Sequence, residues 1–222
     1  MGGFEEEIKK SSPGSRKSYR KMLEEGCKKI GLLSKKEELV RIIKSTKWRR
    51  GGYETYVSEG KIILQKWKER KIRNILAKAY AGFGIGVSPK ERVYQWEQRA
   101  KKLKKSGIPV AKVYGTQHAV LFSRYIKYEL IDFLKSHRSY ASKYGRMLSN
   151  IAKKMDNIGV KPVCLLSDLR TDGETIYVTD YGEDMGHIPE KKSKSTHCKN
   201  LLKSELEKYG LASTKRYFSK QK

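Results

Sequence analysis

Residues 91–115 read ERVYQWEQRAKKLKKSGIPVAKVYG. Val93, Trp96, Ala100 and Leu103 recur at helical spacing, so this stretch predicts a helix over 89–106 with one apolar face and one lysine-rich face. Gly107 and Pro109 then supply the stop, since glycine suits the residue after a helix and proline cannot continue one. IPVAKVYG (108–115) and HAVLFSRYI (118–126) follow as two expected strands. A helix leading into strands, without β-α-β alternation, sets the fold class as α+β with segregated sheet and helix regions.

Upstream, residues 1–15 are polar and are expected to form a mobile arm, and 16–31 and 35–46 suggest helices. YETYVS (53–58) and KIILQKW (61–67) flank Glu59-Gly60 and predict a β-hairpin, with a short basic helix KERKIRNILAKAY after it. The glycine run Gly82, Gly84, Gly86 follows a helix rather than opening one and reads as a loop. Downstream, YELIDFLKS predicts a short helix and 138–158 a long one. VCLLSDL (163–169) and ETIYVTD (174–180) pair as a second hairpin across Thr-Asp-Gly. Two further helices are expected at 199–209 and 212–219.

The chain has 222 residues, 37% of them hydrophobic, enough for an ordinary core. It carries 50 Lys plus Arg against 24 Asp plus Glu, a net charge of +26. Such an excess attracts polyanions, either nucleic acid or an anionic membrane surface. Cys27, Cys164 and Cys198 are too few and too irregularly spaced for a disulfide framework or a zinc site. MGGFEEEIKK lacks the apolar core of a signal peptide, and no run is long enough to be a transmembrane segment. The expectation is a soluble, cytoplasmic protein.

With these residues in this order, the chain resembles the protein-kinase-like fold, closest to the small atypical kinases of the lipopolysaccharide (Kdo/heptose) and RIO-like branch. KIILQKW resembles the strand written V-x-K-x-[YW], which implies that Lys66 contacts the phosphates of ATP. Residues 91–115 resemble the next helix and strand, where a carboxylate partners the lysine. Glu97 is the candidate and Glu91 the second. HAVLFSRYIKYELIDFLKS resembles the hinge region, and Thr179-Asp180-Tyr181-Gly182 the Asp-Phe-Gly turn, which implies that Asp180 holds Mg²⁺.

The catalytic loop departs from the pattern. Counting back from Asp180 puts Pro162 at the base position and Ser167 at the asparagine position. A shifted register brings Asp156 toward the base position and Lys161 to the other, and Asp168 is the remaining nearby acid. The resemblance therefore implies a two-lobe fold with a minimal C-lobe and an N-terminal helical extension: 1–48 the extension, 49–126 the N-lobe, 127–222 the C-lobe with a basic tail. It implies a divergent ATP- and magnesium-binding protein, phosphotransferase or pseudokinase. The alternative is a basic nucleic-acid-binding protein, drawing on KWRRGGY and KRYF, where aromatics interleave with Lys and Arg.

Overall fold

The computed structural model describes residues 38–45, 49–50, 55–66, 69–80, 88–117, 120–182, 185 and 195–219. The expected arm at 1–15, helix at 16–31 and glycine run at 82–86 lie outside them. The chain is α+β, with mixed helices and two antiparallel sheets. It divides into two compact units. One holds the described residues up to Glu97 together with Lys112–Tyr125; the other holds Gln98–Ala111 and the residues from Ile126 onward.

The first unit is a six-stranded sheet. Its strands are β1 (Glu38–Ser45), β2 (Arg49–Arg50), β3 (Thr55–Lys66), β4 (Glu69–Tyr80), β5 (Val113–Gln117) and β6 (Val120–Arg124). The order is β1-β3-β4-β6-β5, with β2 also paired to β3. Three expectations are corrected here. Residues 38–45 form a strand, not part of a helix over 35–46. In ELVRIIKS the apolar pairs at 39–40 and 42–43 suit either period, and twofold pairing with β3 decides for the strand, with shifts in register absorbing the mismatch. No turn interrupts 59–60. β3 runs straight through Glu59-Gly60, and the chain reverses between Lys66 and Glu69, which face each other across the ladder. KERKIRNILAKAY is not a helix either. Glu69–Tyr80 is a twelve-residue strand matched residue for residue with β3, an instance of sheet pairing overriding the helix preference of Lys, Arg and Ala.

Helix α1 (Pro89–Lys105) follows β4 in the chain, and its residues up to Glu97 belong to this first unit. There Val93 and Trp96 are buried, as are Leu121 and Phe122 of β6. Burying such side chains contributes about 1.5–3 kcal/mol each. Ser88 starts the helix, its hydroxyl accepting the Glu91 amide at 3.2 Å.

The second unit is mostly helical: α2 (Leu130–Ser136), α3 (Ala141–Asn157), α4 (His197–Lys208) and α5 (Ala212–Ser219), with a 3-10 turn at Arg138–Tyr140. Its small sheet has the order β7 (Tyr128–Glu129), β8 (Leu169–Thr171), β9 (Ile176–Val178). The expected strand over 163–169 is shorter and later, because Leu166–Asp168 closes into a 3-10 turn before β8 begins. The second half of α1 ends at Lys105, and Gly107 just beyond it takes a φ of 73°, which favours glycine. Residues 109–111 then run alongside β9: the Ala111 amide donates to the Val178 carbonyl and the Val178 amide to Pro109. The α3 stripe of Tyr144, Leu148, Ile151 and Met155 forms the core with Leu202 and Leu206 of α4 and Phe218 of α5.

Candidate functional site

In the first unit a buried lysine lies on β4. Lys78 is 5% exposed, and its ammonium lies 5.1 Å from the centre of the Trp96 ring on α1. Lysine is seldom so deeply buried, because its charge loses water on entry. One residue along α1, Glu97 is half-buried and accepts a hydrogen bond from the Thr116 hydroxyl of β5 at 3.4 Å. Lys66 occupies the last position of β3, opposite Glu69, and its backbone alone is described. The strand that precedes the helix is thus β4, and Lys66 lies on its neighbour. Lys78 lies within 68–80, the stretch expected as a helix. On the observed strand, Leu76-Ala77-Lys78-Ala79-Tyr80 has an apolar-x-K-x-aromatic pattern.

In the second unit the β8–β9 hairpin closes through an aspartate turn. Asp172 accepts the amides of Glu174 and Thr175 at 3.1 and 3.0 Å and the Tyr177 hydroxyl at 3.0 Å, around Gly173 at φ 98°. Beyond β9, the Thr179 amide and hydroxyl both donate to the Asp168 carbonyl. This sets Asp168, which is 7% exposed, beside the residue before Asp180. Asp180 is half-buried, and its Oδ1 accepts the Gly182 amide at 2.9 Å.

Tyr181 anchors that turn. Its ring is buried and its hydroxyl donates to the carbonyls of Ala111 and Val178 at 3.2 and 3.0 Å. Burial, reinforced by the Asp180 charge, holds its phenol far above the ordinary tyrosine range, so it stays protonated. From the other side Arg99 donates to the carbonyls of Tyr181 and Gly182 at 3.0 and 2.6 Å. The neighbouring Tyr181 and the distant Arg99 thus fix the backbone that presents Asp180.

The segment from Asp156 to Asp168 is held by α4. The Asp156 carboxylate accepts the amides of Cys198 and Lys199 at 2.8 and 3.1 Å, capping the helix N-terminus across the fold. His197 Nε2 bonds the Pro162 carbonyl at 2.8 Å, and Glu205 accepts the amides of Leu165 and Leu166. Cys164 sits beside Asp168, with its sulfur 3.8 Å from Oδ1. The structure therefore brings Asp168 to the Asp180 turn through the backbone, while the Asp156 carboxylate is directed to α4.

Mg²⁺ asks for one or two protein carboxylates when phosphate and water complete its shell. Asp180, fixed at a strand end, fits that demand. Among the described residues no group of three His, Cys, Asp or Glu side chains gathers to hold a metal without such help. No family model matches the chain, and no curated protein matches it.

Proposed function

We propose that the chain is a kinase-like ATP-binding protein with its phosphotransfer step lost, Lys78 being the residue of the first unit suited to phosphate and Asp180 the residue of the second unit suited to a magnesium ion. The observation that carries this reading is the buried Lys78 on the strand that precedes α1. In kinase-like proteins the phosphate-contacting lysine lies on the strand before the helix bearing its acidic partner. The strand order β1-β3-β4-β6-β5, with α1 between β4 and β5 in the chain, is consistent with that arrangement. This moves the phosphate role from Lys66 to Lys78 and leaves Glu97 as the acid on α1.

Magnesium would screen the phosphate charge when bound. The protein side of the site is the turn itself. Tyr181 and Arg99 hold the backbone so that Asp180 keeps one orientation, and the Gly182 amide fixes one carboxylate oxygen. The loss of transfer follows from the neighbouring loop. Asp156 caps α4, and neither Pro162 nor Ser167 can serve as a base at neutral pH. Asp168 is the acid that remains near the turn.

A thermal-shift titration with Mg·ATP tests this reading. Ligand at 100 times its Kd stabilises by roughly 2.7 kcal/mol, a shift of several degrees in a chain of this size. The shift is expected in the wild type and in Lys66→Ala, and is expected to vanish in Lys78→Ala and Asp180→Ala. Phosphotransfer and ATP hydrolysis are expected at background in the wild type, with no change in Asp168→Asn. A wild type that does not shift at millimolar Mg·ATP defeats the reading.

A further inference from the structure

Residues 98–111 contain four lysines, one arginine and no acid. Arg99 turns inward to the Tyr181 and Gly182 carbonyls, whereas Lys101, Lys102, Lys104 and Lys105 are exposed on the second half of α1. The Lys154 ammonium donates to the Gly107 carbonyl at 2.6 Å, which brings the end of α3 to the end of α1. Asp156, two residues on, joins the start of α4, and His197 joins the loop at Pro162. Three helix ends and one loop thus meet at one end of the second unit.

The exposed charges at this end include Lys153, Lys161 and Lys199 besides those of α1. Among the described residues there, Asp156 is 5% exposed and faces the α4 amides, so it does not offset them at the surface. A helix C-terminus carries only about half a negative charge. That half-charge accounts for Lys154 at Gly107. It does not account for a whole group of further lysines.

Two properties decide what such a surface fits. Among the described residues the exposed large hydrophobics are Tyr94 and Val163, and Val163 alone belongs to this unit. One valine does not supply the apolar face by which a helix enters a bilayer. Nor, among the described residues, do ring contacts form an aromatic platform for unpaired bases there. The ring contacts of Tyr128, Tyr140 and Tyr209 lie with α2 and the C-terminal end of α4, away from the end of α3. What remains is a dense array of ammonium groups, matched to a rigid polyanion carrying about one charge per 1.7 Å.

We propose that this end of the second unit binds the phosphate backbone of double-stranded nucleic acid, without reading its sequence. The inference is independent of the nucleotide reading. Its test is anisotropy of a labelled duplex of arbitrary sequence, titrated at several salt concentrations. One variant replaces Lys102, Lys104, Lys105, Lys153 and Lys161 by Gln. A second removes the same number of charges elsewhere in the unit: Lys127, Lys135, Arg138, Lys203 and Lys208, all exposed. The first is expected to bind at least about tenfold more weakly, its salt slope falling by roughly 0.9 for each phosphate left without its lysine. The second is expected to stay within about twofold of wild type, and scrambling the duplex sequence to change nothing. Equal weakening in both variants would mean that net charge alone acts, and would overturn the proposal. So would binding of the wild type to anionic vesicles with none to the duplex.

Discussion

The Asp156 carboxylate, at the end of α3, accepts the backbone N–H of Cys198 at 2.8 Å and so caps a helix that begins some forty residues later in the chain. Ordinarily a cap residue is local to its helix. Here Thr196, which directly precedes α4, makes no side-chain cap bond, and Asp156 supplies the acceptor instead. The contact ties α3, the loop after it and α4 together.

Asp156→Ala should therefore destabilise the protein and leave nucleotide binding in place. It strips two amides of their acceptor, and an unsatisfied buried donor costs about 1–3 kcal/mol. The expected loss is on the order of 2 kcal/mol, read from the denaturant midpoint at unchanged m-value. Asp156→Asn, which keeps an acceptor oxygen, should recover part of it. If Asp156→Ala abolished the Mg·ATP shift in protein shown to be folded, Asp156 would belong to the binding site after all.

The same contact governs Cys198. Burial, followed by the negative charge of Asp156, pushes its thiol from 9.0 up to about 12. Below 9.0 the thiol is protonated in both folded and unfolded chains and contributes nothing to pH dependence. As pH rises from 9.0 toward about 12, the unfolded chain releases its proton first, so stability falls across that window. Cys198→Ser removes the titration. Its stability-against-pH curve should be flatter than the wild type's above 9.0, whatever its absolute level. Parallel curves would show that the folded thiol ionises normally.

What was legible in the sequence followed the clarity of its periods. α1 and α3 carry unbroken apolar stripes, and Thr171-Asp172-Gly173 marks the β8–β9 turn chemically, so both were readable. The first sheet was not. Its long strands carry charged residues at many positions, and Glu59-Gly60 imitates a turn that the β3–β4 ladder passes straight through. Reading β4 as a helix also hides the burial of Lys78, since a lysine on a basic helix is expected to face water. The turn at Asp180 is readable because a strand followed by Thr-Asp-Tyr-Gly is a local signal. The capping role of Asp156 was not, because its partners lie beyond a long connection.

Gly145 marks where α3 meets α5. A Cβ there would lie 2.8 Å from the Thr214 carbonyl oxygen and 2.8 Å from Tyr217 Cβ. In an isolated helix Gly→Ala gains about 1 kcal/mol. Here the obstructing atoms are backbone and a Cβ, which cannot swing aside, and overpacking costs about 1–3 kcal/mol. Gly145→Ala is thus expected to destabilise on balance, by urea titration. A stabilised variant would mean that the two helices part without cost.

Lys78→Met separates a functional lysine from a structural one. Methionine keeps most of the aliphatic stem and removes the charge. What the ammonium gains over Trp96 is about 0.5–2 kcal/mol. What burial of a charge costs is several kcal/mol. If Lys78 is kept for phosphate, Lys78→Met should lose its response to Mg·ATP, whatever its melting temperature without ligand. If the lysine is kept for the fold, the variant should melt several degrees lower, with the response to ligand unaffected. A scan of both proteins, with and without Mg·ATP, distinguishes these outcomes, because only the phosphate role ties the lysine to the ligand-dependent shift.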